Sequence, residues 1–393
     1  MLTLPFPVWL ITLAQAIGML TAPMIIFVGG FLGVALAPTP SLATLPLAIL
    51  VVGSALSSMP AAMLMKRIGR RKGLISATLM AILGSILAIF SVNNENFYGL
   101  CLSILMLGSH MAFVQQLRFA AIEWVAPEKV ATTASVVMLG GLIAAWVGPE
   151  IGMQGKELLK SSFAGSFVLL AIAHVGFLLL ISVTPFADMK LDDVSKTPGR
   201  TGFELLKQPG MMAAVASGAV AFGVMSLIMT ATPVSMSEVQ NYPLEDTKTV
   251  IQSHIMAMFL PSLFAPIMFR MFKLIHMLLL GVAVFSLAIV IAILDQSYLG
   301  YWSALVLIGI GWNFMFVGGT TLLSQQYQPN ESFTAQAIND ACVFSVQSIM
   351  ALSAGWMVFN FGWYALNLLA IPLLLIAVIL ILRWYLFEHK KTA

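Results

Sequence analysis

Residues 62–92 read AMLMKRIGRRKGLISATLMAILGSILAIFSV: five cations lie within positions 66–72, and the next twenty residues carry no charge. Twenty residues of α-helix rise about 30 Å, the thickness of the hydrocarbon layer of a bilayer, so Gly73–Val92 has the length of one crossing. The cations stop at its border, where Lys and Arg heads meet lipid phosphates. The same alternation continues outward in both directions. Over 393 residues, 60% are hydrophobic and 9% charged, against about 25% charged in a soluble domain. Such a chain cannot cover a globular surface with polar groups, so its solvent is lipid. Lipid in turn demands helices, because hydrocarbon offers no partner to an unpaired backbone group.

Apolar runs between breakers place spans near residues 8–35, 42–65, 73–92, 97–118, 133–155 and 164–185. A second set lies near 210–236, 248–269, 275–294, 299–323, 335–358 and 362–385. The expectation is an all-α membrane protein of 12 transmembrane helices in two pseudo-symmetric six-helix bundles, residues 1–187 and 209–393, joined by a cytoplasmic linker over 188–208. With the N-terminus inside, 16 of the 19 Lys and Arg fall on the cytoplasmic side and only Lys156, Lys160 and Lys248 on the other. The positive-inside rule then puts both termini in the cytoplasm of a bacterial inner membrane. The segment from Met1 has no charged n-region or cleavage site and runs on as a span, so it is expected to be retained. A formal charge of +3 is too small to suggest nucleic acid. Cys101 and Cys342 sit singly in apolar runs and support neither a disulfide framework nor a zinc cluster. Trp9, Trp302, Trp363 and Trp384 fall at expected span ends, as an aromatic belt requires.

The halves look related. The basic turn after the second span is matched by Arg270–Lys273 after the eighth, and Gln115 and Gln116 are matched by Gln325 and Gln326. Internal duplication is how many transporters build alternating access around a site near the midplane. The turn itself, from Ala62 through Lys66, Arg67, Gly69, Arg70 and Arg71 to Lys72, resembles the loop signature of the major facilitator superfamily, with Ala62 where that signature has Gly and Lys66 where it has Asp. No G-x-x-x-x-G-K-[ST] phosphate cradle is present, so drive by an ion gradient, by the substrate's own gradient or by trapping at the far side is expected, without ATP and without enzymatic chemistry.

The seventh span contains Met225-Ser-Leu-Ile-Met229-Thr-Ala-Thr-Pro233 and the eighth His254-Ile-Met-Ala-Met258. Residues four apart share a helical face, giving a sulfur pair and a nitrogen–sulfur pair that can lie at one depth. Thioether and imidazole are soft ligands suited to Cu(I) and ill suited to Mg²⁺ or Ca²⁺. An intramembrane histidine points to function, and Pro233, which cannot donate to the Met229 carbonyl, marks a hinge. Methionine is also an ordinary filler of apolar gaps, and Met59 with Met63 makes the same spacing to no evident purpose. These segments resemble the MxxxM and HxxxM motifs of the CcoA-like copper importers, a branch of the superfamily that also includes riboflavin transporters, and Gln115–Glu123 resembles the end of that family's fourth span. The resemblance implies metal-binding roles for Met225, Met229, His254 and Met258.

The expectation is a secondary-active importer of Cu⁺, which is the substrate, with no cofactor and a monomeric state in the lipid bilayer. The alternative is transport of a small organic solute, by riboflavin-like import or proton-coupled drug efflux. Arg67, Arg70, Arg71, Arg118, Glu123, Glu150, Asn339 and Asp340 are gating or coupling candidates. Glu150 lies in Gly148-Pro-Glu-Ile-Gly152, a partial match to the G-P-x-x-G-G motif of proton-coupled exporters. His110, in the fourth expected span, is a proton-relay group, a further ligand, or a residue bonded to a neighbouring helix.

Overall fold

In hydrocarbon, a backbone N–H finds its partner within its own helix. In the computed structural model, which describes residues 4–126, 129–186, 200–264, 271–328 and 331–392, all regular secondary structure is helical. The order is α1 (Phe6–Gly18), α2 (Thr21–Leu36), α3 (Leu45–Ile68), α4 (Arg70–Asn93), α5 (Phe97–Val114), α6 (Leu117–Ile122), α7 (Val130–Gly155) and α8 (Ala164–Val183). There follow α9 (Gly202–Leu206), α10 (Pro209–Val234), α11 (Leu244–Phe259), α12 (Leu274–Leu294), α13 (Tyr298–Ser324), α14 (Ser332–Leu368) and α15 (Ala370–Thr392). Of the expected linker, residues 188–199 lie outside the described residues, as does Arg270 of the second basic turn.

Nine helical segments among the described residues are long and apolar enough to cross a membrane. The last, Thr334–Glu388, has 55 residues, roughly 80 Å as one rod. Its backbone leaves helical geometry at Gly362 (φ 79°, ψ 174°), a conformation that glycine alone adopts cheaply, so two helices meet there. The first expected span is also broken, between Gly18 and Thr21. A continuous helix needs the residue-23 amide to reach the residue-19 carbonyl, and Pro23 has none to give. The eighth expected span yields sixteen α-helical residues before a 3₁₀ turn at Leu260–Leu263, where Pro261 interrupts the ladder in the same way.

The surface is apolar: Leu83, Val183 and Leu294 are 60%, 71% and 79% exposed. The inward faces instead carry Ala, Gly, Ser and Thr, which let helix axes approach closely. Hydroxyls on these faces are satisfied by carbonyls one turn back, as in Thr78 to Leu74 (2.7 Å) and Ser85 to Ala81 (2.9 Å). Trp363, expected in an interfacial belt, is buried and donates its indole N–H to the Ala292 carbonyl at 2.9 Å. Cys101 and Cys342 are free thiols.

The chain divides into two compact units, Met1–Met189 with Pro233–Phe259, and Lys190–Thr232 with Leu260–Ala393. In the first, α3 and α4 pack on α5, α4 on α8, and α11 on α7 and α2. The basic turn is one residue wide: Gly69 (φ 87°, ψ 155°) ends α3 and begins α4. That geometry aims Arg70 at Glu123 in a bidentate pair, while Arg71 Nη2 donates to the Thr184 carbonyl just past α8 at 2.9 Å, a cation at the negative end of a helix.

In the second unit α12 packs on α13, and the described end of the linker is tied down by charge. Arg200 donates through Nε (2.7 Å) and Nη2 (2.6 Å) to the two oxygens of Glu331, which is 3% exposed and also accepts from the backbone N–H groups of Arg200 and Gln328 at 2.9 Å. These donors, the Arg200 side chain foremost, hold the carboxyl down from its ordinary 4.5 to about 2. A depressed folded-state value stabilises the fold fully above 4.5, and that contribution is lost as pH falls through 2. Glu331→Gln is therefore expected to lower the thermal midpoint of detergent-purified protein at pH 7, with the gap to wild type closing between pH 4.5 and 2. A gap that stays constant with pH would show that the loss is one of packing.

Candidate functional site

In the second unit, α10, α13 and α14 gather an aromatic nest. Trp312 and Phe316, one turn apart on α13, stack with centroids 4.9 Å apart and planes 19° apart. The half-buried ring of Phe222 on α10 meets Trp312 (5.1 Å), Phe316 (5.3 Å) and Phe344 of α14 (6.2 Å), edge-on in each case. Edge-to-face contacts set the positive rim of one ring against the negative face of another. Trp312 is buried, whereas Phe222, Phe316 and Phe344 keep part of their surface open. Met225 and Met229 continue the α10 face from Phe222 by one and two turns, at 3% and 8% exposure. Beside Trp312, Asn313 Nδ2 donates to Ser262 Oγ at 2.6 Å, and Gln347, one turn beyond Phe344, is buried. Flat rings, two soft thioethers and amide groups favour an uncharged planar solute with a polar rim.

In the first unit, α11 carries His254, fully buried, and Met258, 8% exposed. The N-terminal turns of the same helix are fixed to α7 by a polar ladder. Lys248 Nζ lies 2.9 Å from Glu150 Oε1 and 2.6 Å from Glu245 Oε1, and Gln252 Nε2 donates to the Trp146 carbonyl (2.9 Å) and to Glu150 Oε1 (3.3 Å). Glu150 is thus an ion-paired anchor of α11, with its side chain 30% exposed. The four residues proposed as metal ligands divide between the units, Met225 and Met229 in the second, His254 and Met258 in the first.

Of the remaining candidates, Arg67 is exposed and Arg118 half-buried. Glu123 pairs with Arg70. Asn339 Nδ2 donates to Asp340 Oδ1 at 3.1 Å within the second unit. Pro233 lies in the last turn of α10, which passes into a π-type turn over Ser235–Val239. It is the first residue of that stretch to belong to the first unit, where a Cβ on Gly30 would stand 2.7 Å from its own Cβ.

Apolar flanks with polar groups turned inward define a multi-pass membrane protein. The chain belongs to the Major Facilitator Superfamily, whose family model matches residues 8–351. It is 32% identical over 382 residues, 95% of this chain and 94% of the other, to the riboflavin transporter RfnT of Brucella anthropi. It is 28% identical to the uncharacterized MFS-type transporter YddS of Bacillus subtilis, over 89% of this chain and 86% of that one. Among solved structures it resembles a bacterial homologue of the human lysosomal transporter Spinster, in an inward-facing and occupied conformation. The TM-score there is 0.70 at 14% identity, covering 97% of this chain and 96% of that one.

Sequence reading missed the aromatic nest as a unit, the Lys248–Glu150 pair and the environment of the buried His174. Only Trp312 and Phe316 carry a local signal, their four-residue spacing. The rest depend on which helices become neighbours.

Proposed function

We propose that this chain is a secondary-active importer of a small planar organic solute of the riboflavin type. In this reading it spans a bacterial inner membrane twelve times with both termini inside, and it works without a cofactor or enzymatic step. The observation that carries the reading is the nest of Phe222, Trp312, Phe316 and Phe344, whose open ring surface suits a flat heteroaromatic by stacking. The similarity to a riboflavin transporter over nearly the whole chain supports it. The twelve-span count and the orientation rest on the charge distribution.

Copper import, the other reading, rests on the types and spacing of Met225, Met229, His254 and Met258, and the named relative weighs against it. The deciding experiment expresses wild type and His254→Ala in a riboflavin auxotroph and follows growth on limiting riboflavin alongside cellular copper. Both proteins are expected to restore growth, and copper content is expected to match the empty-vector strain. Copper accumulation that depends on His254, without growth rescue, would overturn the proposal in favour of the metal.

A further inference from the structure

Two buried histidines of the first unit meet in its interior, while the third, His254, lies on α11. His110 of α5 and His174 of α8 are both fully buried, with ring centroids 5.0 Å apart and planes 79° apart. Each nitrogen of His174 faces a hydroxyl: Nε2 lies 3.1 Å from Thr21 Oγ1 of α2, and Nδ1 3.3 Å from Ser85 Oγ of α4. Ser85 spends its own proton on the Ala81 carbonyl at 2.9 Å, so it accepts from Nδ1–H. Thr21 can then either donate to a bare Nε2 or, by turning its hydroxyl hydrogen, accept from a protonated one. One rotation of one hydroxyl thus fits the imidazole in its neutral or its charged form.

His110 is fixed differently. Thr78 Oγ1 donates to the Leu74 carbonyl at 2.7 Å and lies 3.5 Å from His110 Nε2. The hydrogen on Nε2 therefore points at Thr78, and Nδ1 is the bare nitrogen. Among the described residues Nδ1 has no hydrogen-bond partner although it is wholly buried, an arrangement that costs stability unless the lone pair has a use. Phe177 covers the same ring edge-on at 5.4 Å.

No fixed charge competes for this place. The helices α1, α2, α5 and α8 contain no Asp, Glu, Lys or Arg. Arg70, Arg71 and Lys72 lie at the start of α4, with Arg71 roughly 10 Å along the axis from Thr78. Lys66 and Arg67 end α3, and the one carboxylate of α7, Glu150, is paired with Lys248. Tyr98 and Cys101, the other titratable side chains of α5, stand about 18 and 13 Å along it from His110.

We propose that His110 and His174 form a proton-binding site that takes up a single proton and couples its passage to solute movement. The incoming proton occupies the free lone pair of His110 Nδ1 or that of His174 Nε2, and no bond other than N–H is made or broken. Repulsion between like charges about 5 Å apart in a dry interior limits the pair to one. Thr21, Thr78 and Ser85 tie the two rings to α2 and α4, so gain or loss of the proton alters hydrogen bonds among four helices of one unit.

The inference rests on the transporter reading, and its test separates the two. Purified protein in liposomes, with the membrane potential clamped at zero, is given riboflavin and a gradient of two pH units, acid on the uptake side. One coupled proton supports an accumulation ratio up to about 100-fold under these conditions. Wild type is expected to accumulate riboflavin more than about tenfold, with His110→Gln and His174→Gln reaching only equal concentrations while riboflavin counterflow stays within about twofold. Thr21→Val, which keeps both imidazoles, is expected to shift half-maximal drive toward acid, because the charged ring loses the stronger hydrogen bond. Accumulation by either glutamine variant at the wild-type level would overturn the proposal. Should wild type move no riboflavin, the transport reading falls, and proton binding is decided without substrate. Detergent-purified wild type is expected to take up one proton more than the double glutamine variant between about pH 8 and about pH 4. A difference of none or two would overturn the shared site.

Discussion

Phe222→Leu is expected to raise the KM for riboflavin by about one order of magnitude while leaving the protein folded, and Phe222→Ala to lower uptake by one to two orders. Phe222 touches the other three members of the nest. Stacking of a heteroaromatic base on an aromatic side chain is worth about 1–3 kcal/mol by alanine substitution, and each 1.4 kcal/mol is about tenfold in affinity. The two variants separate contact from packing. Leucine keeps most of the volume and removes the π face, so a contact made equally in bound and translocating states appears in KM with turnover little changed. Alanine adds a gap between Trp312 and Phe344 and loosens the rings that remain. Because Phe222 is half-buried, its truncation is expected to cost less than the roughly 3–5 kcal/mol of a fully buried phenylalanine. Initial rates of labelled riboflavin uptake, normalised to folded protein, give the answer. Wild-type kinetics in both variants would make the nest ordinary core packing.

The helical fold was readable because lipid imposes a single length on apolar runs, and the runs around Lys66–Lys72 have it. The internal breaks were only partly readable. Pro23 and Pro261 each remove one amide from the ladder beside a break, but Pro60 and Pro149 do the same inside α3 and α7 without ending them. Charge counting was less secure residue by residue. Lys248 looks like an outer-loop cation in the sequence, yet it lies 7% exposed between Glu150 and Glu245, since two partly exposed carboxylates hold its amine against α7. Trp363 looks interfacial because it sits at a span end, but the turn at Gly362 precedes an indole that points inward to Ala292.

The candidate site divides along the same line. Met225 with Met229, and His254 with Met258, are visible because a four-residue spacing is a property of one helix. The aromatic nest and the His110–His174 pair each need side chains from separate helices, and sequence periodicity says only that each faces inward, not what it meets there. The strongest local pattern therefore suggested a soft-metal site, while the feature that favours a flavin-like solute exists only once α10, α13 and α14 are assembled.

Gly108→Val is expected to prevent accumulation of folded protein, and Gly108→Ala to lower the thermal midpoint by about 10 °C. A Cβ on Gly108 would stand 2.2 Å from the Leu50 carbonyl oxygen of α3, and one on Gly53 would stand 2.5 Å from the Leu105 oxygen of α5. The obstacles are backbone atoms, so no rotamer change relieves them; α3 and α5 must move apart by about 1 Å to reach ordinary contact distance. Separation also strains the hydrogen bond from Ser54 Oγ to the Gly108 carbonyl at 2.9 Å and shifts His110, two residues on, relative to Thr78. Overpacking a tight core costs typically about 1–3 kcal/mol and more where the backbone is the obstacle. Gly176→Ala is the internal control. It lies on the exposed face of α8 with nothing within 4 Å of the added methyl, so alanine there is expected to leave the midpoint unchanged or raise it slightly through helix propensity. Equal losses at Gly108 and Gly176 would mean that glycine serves helix flexibility; a loss confined to Gly108 means that it serves the close approach of α3 and α5, on which the geometry of the buried histidine pair depends.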